Sequence, residues 1–377
     1  MQALYLLALA RNFTPAHHDL LVSQLGSLEA LLTLDEQALK KIQLPDGHRR
    51  RLRDVLRDCD PASELATLTD QDVHLVGWGS ASYPALLATI ADAPLLLFGK
   101  GDVSLLQHDG IAIVGSRKCS ERGRELAQQF GRELAELGLA VVSGMALGID
   151  GAAHEGALSA GGATIAVLGC GVDVVYPPRH QQLYEQLCAQ GLVLSEYPQG
   201  TEPRKEHFPQ RNRIISGLSK GTVVVEAPLG SGALITAHLA LEQGREVFAV
   251  PGPVASHFVK GCNYLIKNGQ AKLIEGVDDI LAEFGENRAS LRRTRLAPAS
   301  AAAAAGTKPA AASTGPAPDA LAPEEQRVLE VLSYEGTHVN EVVHKLGITT
   351  AECIAHLTML QIKGLITSAT GGYYARL

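Results

Sequence analysis

Apolar residues along this 377-residue chain follow three successive rhythms, and each predicts a different kind of structure. Over residues 1–60 leucines recur at helical spacing (Leu6 and Leu9; Leu20, Leu21 and Leu25; Leu28, Leu31 and Leu32), so a small bundle of short helices is expected. From about 70 to 109, short runs at 73–76 and 95–99, set apart by Tyr83-Pro84 and Ala93-Pro94, suggest brief strands and turns. Residues 110–285 then alternate regularly. Continuous apolar β-type runs at 111–114, 140–142, 164–168, 192–194, 222–225 and 247–250 are interleaved with helical stretches such as 122–137 and 233–243. Strands that are apolar at every position are buried on both faces, as in a parallel sheet covered by helices. The predicted fold class is therefore α/β, with a doubly wound, mostly parallel sheet.

Past residue 288 the pattern changes twice. Residues 289–320 are mainly Ala, Pro, Ser, Thr and Gly with a basic start (Arg288, Arg292, Arg293, Arg295), and read as a flexible linker. Helical spacing returns at 323–333, 339–346 and 350–363, followed by Leu365-Ile366-Thr367, Gly371-Gly372 and Tyr373-Tyr374-Ala375, a hairpin pattern. Three helices and then a hairpin is the winged-helix order. The expected domains are 1–69 (helical), 70–288 (α/β), 289–320 (linker) and 321–377 (winged helix).

Composition adjusts this picture in two places. The six cysteines are far apart, with no zinc-ligand spacing, which fits free thiols in a reducing compartment. The apolar start of the chain lacks a basic leader and a cleavage site and runs on into helical spacing, and no uncharged run reaches membrane-spanning length. The protein is thus expected to be cytoplasmic. A net charge of −7 counts against nucleic acid as a ligand, unless positive charge is concentrated locally.

Such a concentration exists. Over 201–213, Arg204, Lys205, Arg211 and Arg213 outnumber Glu202 and Glu206 and enclose Phe208. Cations for a phosphate backbone plus an aromatic face for an unstacked base suit a single strand; a solvated loop entering a helix, with Phe208 in the core, is the alternative. Gly115-Ser116-Arg117-Lys118 follows the 111–114 strand, where ligands sit in open parallel sheets. A small-residue turn entering a helix offers N–H groups to an anion, and Arg117 could add a bidentate phosphate pair; a plain tight turn is the alternative. Ser143-Gly144, opening the glycine-rich run that ends at Gly151, would keep the cleft floor open. Asp150 and His154, four apart on a helix, could form a general-base pair, but a structural ion pair or cap is preferred because no nucleophile accompanies them. The loop at 226–236 is a further strand, Gly-rich turn and helix start. Upstream, Pro45-Asp46-Gly47-His48 before Arg49, Arg50, Arg51 and Arg53 faintly resembles a helix-hairpin-helix turn, a solvated basic helix face being preferred. No catalytic, metal or cofactor constellation is read.

Several stretches, in this order, resemble one family: Gly115-Ser116-Arg117 after a strand, Ser143 to Leu158, Phe208-Pro-Gln-Arg-Asn-Arg-Ile-Ile-Ser-Gly-Leu-Ser219, Ser231-Gly-Ala-Leu-Ile-Thr-Ala237, Gly244-Arg-Glu-Val-Phe-Ala-Val-Pro-Gly252 and Gly261-Cys-Asn-Tyr-Leu-Ile266. It is the DNA-processing protein A family, also called DprA or Smf. The resemblance is dense from about 73 to 284 and looser on either side. It implies an extended Rossmann-like domain, an N-terminal domain like a sterile alpha motif, and the C-terminal winged helix. It also implies a non-enzymatic mediator that binds and protects single-stranded DNA in natural transformation and homologous recombination, loads the recombinase RecA, and forms homodimers. The DNA-binding set so implied is Gly115, Ser116, Arg117, Ser143, Gly144, Lys205, Phe208, Arg211, Asn212 and Arg213.

Two departures stand out. Gln270 interrupts the family's more usual Gly-Ala, with little expected effect. More important, residues 321–377 hold four basic residues against six acidic ones. A winged helix that inserts into a duplex should be basic, so this one is expected to touch protein or only to modulate binding to double-stranded DNA. Two other functions compete. One is a Rossmann-like nucleotide hydrolase, although 227–232 lacks the Pro-Gly-Gly-x-Gly-Thr loop of such relatives. The other is a winged-helix transcription regulator with an α/β sensor domain.

Overall fold

Nine strands among the described residues build one sheet, and the apolar runs between 110 and 250 supply six of them. The computed structural model describes residues 1–288, 291, 323–332, 337–346, 348–362, 365–369 and 373–376. The strands are β1 (His74–Gly77), β2 (Leu96–Gly101), β3 (Gly110–Val114), β4 (Ala140–Ser143), β5 (Thr164–Leu168), β6 (Leu192–Ser195), β7 (Ser219–Val224), β8 (Glu246–Ala249) and β9 (Lys272–Leu273). They lie in the order β1-β2-β6-β5-β4-β3-β7-β8-β9. From β6 to β9 every pairing is parallel; β1 and β2 add an antiparallel edge. β3 to β6 are buried at every position, as continuous apolar runs require.

Helices cover both faces. Along β3, Ala112 and Val114 face a core shared with α10 (His207–Gly217), α11 (Gly232–Glu242) and α12 (Lys260–Lys267), while Ile111 and Ile113 face one shared with α7 (Glu121–Glu136), α8 (Ile149–Ser159) and α13 (Val277–Glu283). This two-residue alternation is the strand's own geometry sorting side chains between two layers. α9 (Gln181–Gln190) packs into a third cluster around β2, β5 and β6. α7 and α8 lie close because Gly131 meets the Ala153 backbone and Gly156 the Gln128 backbone, where a Cβ would come within 2.2 and 2.0 Å. α6 (Ala85–Ala88) lies between β1 and β2 in the chain.

Preceding the sheet are α1 (Gln2–Ala10), α2 (Pro15–Leu25), α3 (Glu36–Lys41), α4 (Asp46–Asp58) and α5 (Pro61–Asp70). α1 is apolar around its circumference because it is buried on two sides. Leu4 and Leu7 enter the helical core, and Tyr5 packs edge-on to Phe98 of β2 at 6.1 Å. The Pro45–His48 segment is not a hairpin turn: Pro45 caps α4, whose first residues are Asp46, Gly47 and His48. Arg50, Arg51 and Arg53 are exposed on that helix.

The chain divides into two compact units, Met1–Ala301 and Ala302–Leu377. In the second, α14 (Pro323–Val331), α15 (Val339–Leu346) and α16 (Thr350–Ile362) enclose a core that includes Val328, Val342 and Leu357. Three antiparallel strands, β10 (Thr337–His338), β11 (Ile366–Ala369) and β12 (Tyr373–Arg376), pair in the order β10-β12-β11, completing the winged helix. Apart from Leu291, the expected linker at 289–320 lies outside the described residues, as do Ser333, Lys363 and the Gly371-Gly372 turn. Among the described residues no helix is long and apolar enough to cross a membrane.

Candidate nucleic-acid interface

The winding of the sheet reverses between β3 and β7, which are neighbours although β4, β5 and β6 lie between them in sequence. The helices that follow them, α7 and α11, lie on opposite faces, so their loops part at the carboxyl ends of the strands. A cleft at such a switch point is a consequence of the topology. Here it has a volume of about 770 Å³. Its walls are the loop after β3, the start of α10, Tyr176 from the segment between β5 and α9, and the 228–232 loop leading into α11.

One expectation about the first loop does not hold. Gly115-Ser116-Arg117 does not run straight into a helix N-terminus: α7 begins at Glu121, with Ser120 as its cap. The Ser120 N–H and Oγ donate to the Glu226 carboxylate at 2.8 and 2.6 Å, and the Gly123 N–H donates to Ser120 Oγ at 3.0 Å. A side chain at Gly123 would strike that carboxylate, with a Cβ 2.3 Å from its carbon. The anion-attracting end of α7 is therefore occupied by the chain's own Glu226. The loop itself is pinned by Ser116 N–H to Glu226 O at 2.7 Å, and by a reciprocal pair between Ser116 Oγ and the Lys118 backbone at 3.0 and 3.1 Å. This leaves Arg117 and Lys118 exposed and without an ion pair among the described residues.

α10 sorts the basic segment. At 100° per residue, positions 208, 211, 212 and 215 share one face, and all four line the cleft. Pro209 is tolerated in the first turn, where its missing N–H would have no partner. Phe208 is half-buried, its ring 5.3 Å from that of Tyr176, and the Arg117 guanidinium stands 5.3 Å from its centroid. Lys205 and Asn212 border the same space, Lys205 exposed and Asn212 half-buried. The structure thus brings together Gly115, Ser116, Arg117, Lys205, Phe208, Arg211 and Asn212.

Arg211 differs from the other cations. It is 4% exposed, donates from Nη1 to Gly144 O at 2.9 Å, and faces Asp150, whose carboxylate accepts from the Gly144 N–H at 3.2 Å. Burial lowers the Arg211 pKa to about 10, against the pull of Asp150; burial likewise raises that of Asp150, against the pull of Arg211. Both backbone groups of Gly144 are therefore engaged. Ser143 is fully buried, its hydroxyl donating to Ile113 O at 2.6 Å, so it does not reach the cleft. Nor does Arg213. Two residues on from Arg211 it lies about 200° around the helix, where it pairs with Glu196 at 2.6 Å and Asp92 at 3.0 Å.

Tyr176 went unread in the sequence, although it follows a parallel strand as Arg117 does, and the same sheet-edge rule covers it.

Asp150 and His154 share α8 but are not hydrogen-bonded to each other. His154 is wholly buried, with Nδ1 2.7 Å from the Thr164 hydroxyl, which itself donates to Val141 O at 2.9 Å. The hydroxyl's only proton being committed, His154 donates from Nδ1 and is neutral. Burial, with lesser repulsion from His180 and Arg211, lowers its pKa to about 3. The unfolded imidazole takes up a proton near pH 6.5 and the folded one does not, so stability should fall as pH drops from 6.5 towards 3, by about 1.4 kcal/mol per unit. Urea titrations at pH 7 and pH 5 should show this loss, and His154→Gln should reduce the difference.

The sequence model of the family described as DNA recombination-mediator protein A matches residues 74–285, and that of the DprA winged helix domain matches 309–372. Protein Smf of Escherichia coli (strain K12) is 39% identical over 314 residues, covering 82% of this chain and 79% of its own length. The X-ray structure of DNA processing protein A from Streptococcus pneumoniae superposes with a TM-score of 0.64 at 36% identity, covering 75% of this chain and 98% of that one. A structure of DNA processing protein A from Helicobacter pylori, described for its single-stranded DNA binding mode, gives a TM-score of 0.52 at 29% identity over 59% of this chain and 96% of that one. With these matches and a nine-stranded α/β sheet followed by a winged helix, the chain belongs to the DNA recombination-mediator protein A (DprA/Smf) family.

Proposed function

We propose that the chain binds single-stranded DNA in the switch-point cleft without changing it chemically, and delivers it to a recombinase of the RecA type. The observation that carries this is the Arg117 guanidinium over the Phe208 ring, beside Tyr176 and Lys205. An aromatic face stacks an unpaired base of any kind, and cations around it hold the adjoining phosphates. The binding set is Gly115, Ser116, Arg117, Lys205, Phe208, Arg211 and Asn212, with Arg211 and the Gly144 backbone shaping the floor. Ser143 and Arg213 support the frame. The relative from Helicobacter pylori is described as binding single strands, which agrees with this reading. A nucleotide-hydrolase role finds less support, since Glu226 is committed to Ser120.

The recombinase step rests on the family's description as a recombination mediator. Homodimer formation is part of the proposal, and exposed apolar side chains on α12 and β9 (Tyr264, Leu273) are suited to it. We propose the helical, α/β, linker and winged-helix division at 69/70, 288/289 and 320/321, in the cytoplasm.

The test is a salt titration of oligo-dT binding. Arg117→Ala and Lys205→Ala should each weaken binding and reduce the slope of log K against log salt by about 0.7 for every phosphate that is no longer neutralised. Wild-type affinity and slope in both variants would overturn the cleft assignment.

A further inference from the structure

A second groove, of about 670 Å³, runs between the N-terminal helices and the α/β domain within the first unit. Arg11 at the end of α1, Arg51 on α4 and Arg204 line it. All three are exposed, and none makes an ion pair among the described residues. Of the acidic side chains, Asp54 is bonded to Arg53 at 3.0 Å and Glu196 to Arg213 at 2.6 Å. Glu206 is the remaining carboxylate, exposed and without a partner among the described residues. Every exposed residue lining the groove is polar, the others being Asn12 and Gln210.

Two features show that this positive charge is placed. Arg11 and Asn12 are consecutive non-glycine residues in the left-handed region, with φ of 56° and 60°. Such backbone is costly for L-residues and persists only where its surroundings hold it. The Arg11 guanidinium then lies 5.5 Å from the centre of the Tyr197 ring, positioned by an aromatic face with no carboxylate to neutralise it. Tyr197 is itself fixed, stacked on His207 at 4.3 Å and bonded to Gln210 at 3.0 Å.

The groove and the cleft are separated by one wall. Phe208, Arg211 and Asn212 face the cleft from α10, while His207 and Gln210 of the same helix face the groove. Just before the helix, Arg204 lines the groove and Lys205 the cleft, so the two sites meet across adjacent residues.

We propose that the groove is a second nucleic-acid subsite: it takes the sugar-phosphate backbone of the strand as it leaves the cleft over Arg204 and Lys205. The proposal rests on the cleft being a single-strand site. It gives the N-terminal helices a direct part in binding, one that depends on strand length.

The test measures fluorescence anisotropy over a ladder of oligo-dT lengths with the full chain. It compares wild type, R11A/R51A/R204A and R117A/K205A. The triple variant should bind the shortest oligomers as wild type does, lose the gain in affinity with length, and on long oligomers show a salt slope smaller by about 2, for three phosphates at about 0.7 each. Glu206→Gln should strengthen binding of long oligomers alone, a gain that impaired folding could not produce. Wild-type behaviour of the triple variant at every length would overturn the proposal. So would an equal loss at all lengths, or capture of an acidic peptide in place of long DNA. If R117A/K205A bound normally and only the triple variant failed, the cleft reading would fall, and with it the groove's role as its continuation; weakened binding by R117A/K205A beside a wild-type triple variant would overturn the groove alone.

Discussion

Replacing Arg211 with alanine should lower the unfolding free energy by about 1–3 kcal/mol, the usual cost of leaving a buried acceptor without its donor, and the loss of a positive charge near Asp150 adds to it. Arg211 is 4% exposed, and its charge faces Asp150, which is 7% exposed. Without it, Gly144 O loses its donor and a buried carboxylate loses its counter-charge. Arg117→Ala should leave stability within about 0.5 kcal/mol, because Arg117 is exposed and unpaired. Urea unfolding of the two variants separates the roles. If both had wild-type midpoints, Arg211 would not brace the cleft floor. The restoring change is Asp150→Asn in the Arg211→Ala background, which removes the orphaned charge and should recover part of the loss.

Phe208→Ala should weaken binding of single strands by about 1–3 kcal/mol, the range for one base stacked on an aromatic side chain. Because Phe208 is half-buried against Tyr176, some of the measured change could reflect a loosened wall. Phe208→Leu resolves this: it fills the wall but presents no ring, so it should retain stability and still lose affinity. Salt dependence gives a second check, since stacking releases no counterions. The slope should stay near that of wild type, whereas Arg117→Ala lowers it. A Phe208→Leu protein with full affinity would place the base elsewhere.

Much of the fold was legible because parallel strands buried on both faces leave continuous apolar runs. The 164–168 run coincides with β5, and 111–114 falls within β3. β9 escaped notice because it has only two residues, both exposed, at the edge of the sheet. The site was legible in composition but not in direction. Arg211 and Arg213 read alike in the sequence as members of one basic run; the helical turn sends one into the core beneath the cleft and the other to Glu196 and Asp92. Ser143 looked like a small residue at a loop, yet its hydroxyl closes a bond to Ile113 inside the sheet. Glu226 was read only as the start of a Gly-rich loop, since its partner Ser120 is 106 residues away. The groove beside α1 had no local motif either: it joins Arg11, Arg51 and Arg204 from three distant segments.

The carboxylate of Glu226 on the end of α7 has a wider consequence. In dinucleotide-binding folds the first helix after the first parallel strand receives a pyrophosphate through its free N–H groups. Here that berth is already taken by a fixed negative charge, so a mononucleotide would find repulsion where its relatives find their anchor. In the proposed binding mode phosphates are gripped instead by side chains further out, such as Arg117 and Lys205, which can flex and let go one at a time. Under the proposed function, a long polymer held at several such points could shift along its own length without being released, a mobility that would suit the proposed hand-over of the strand.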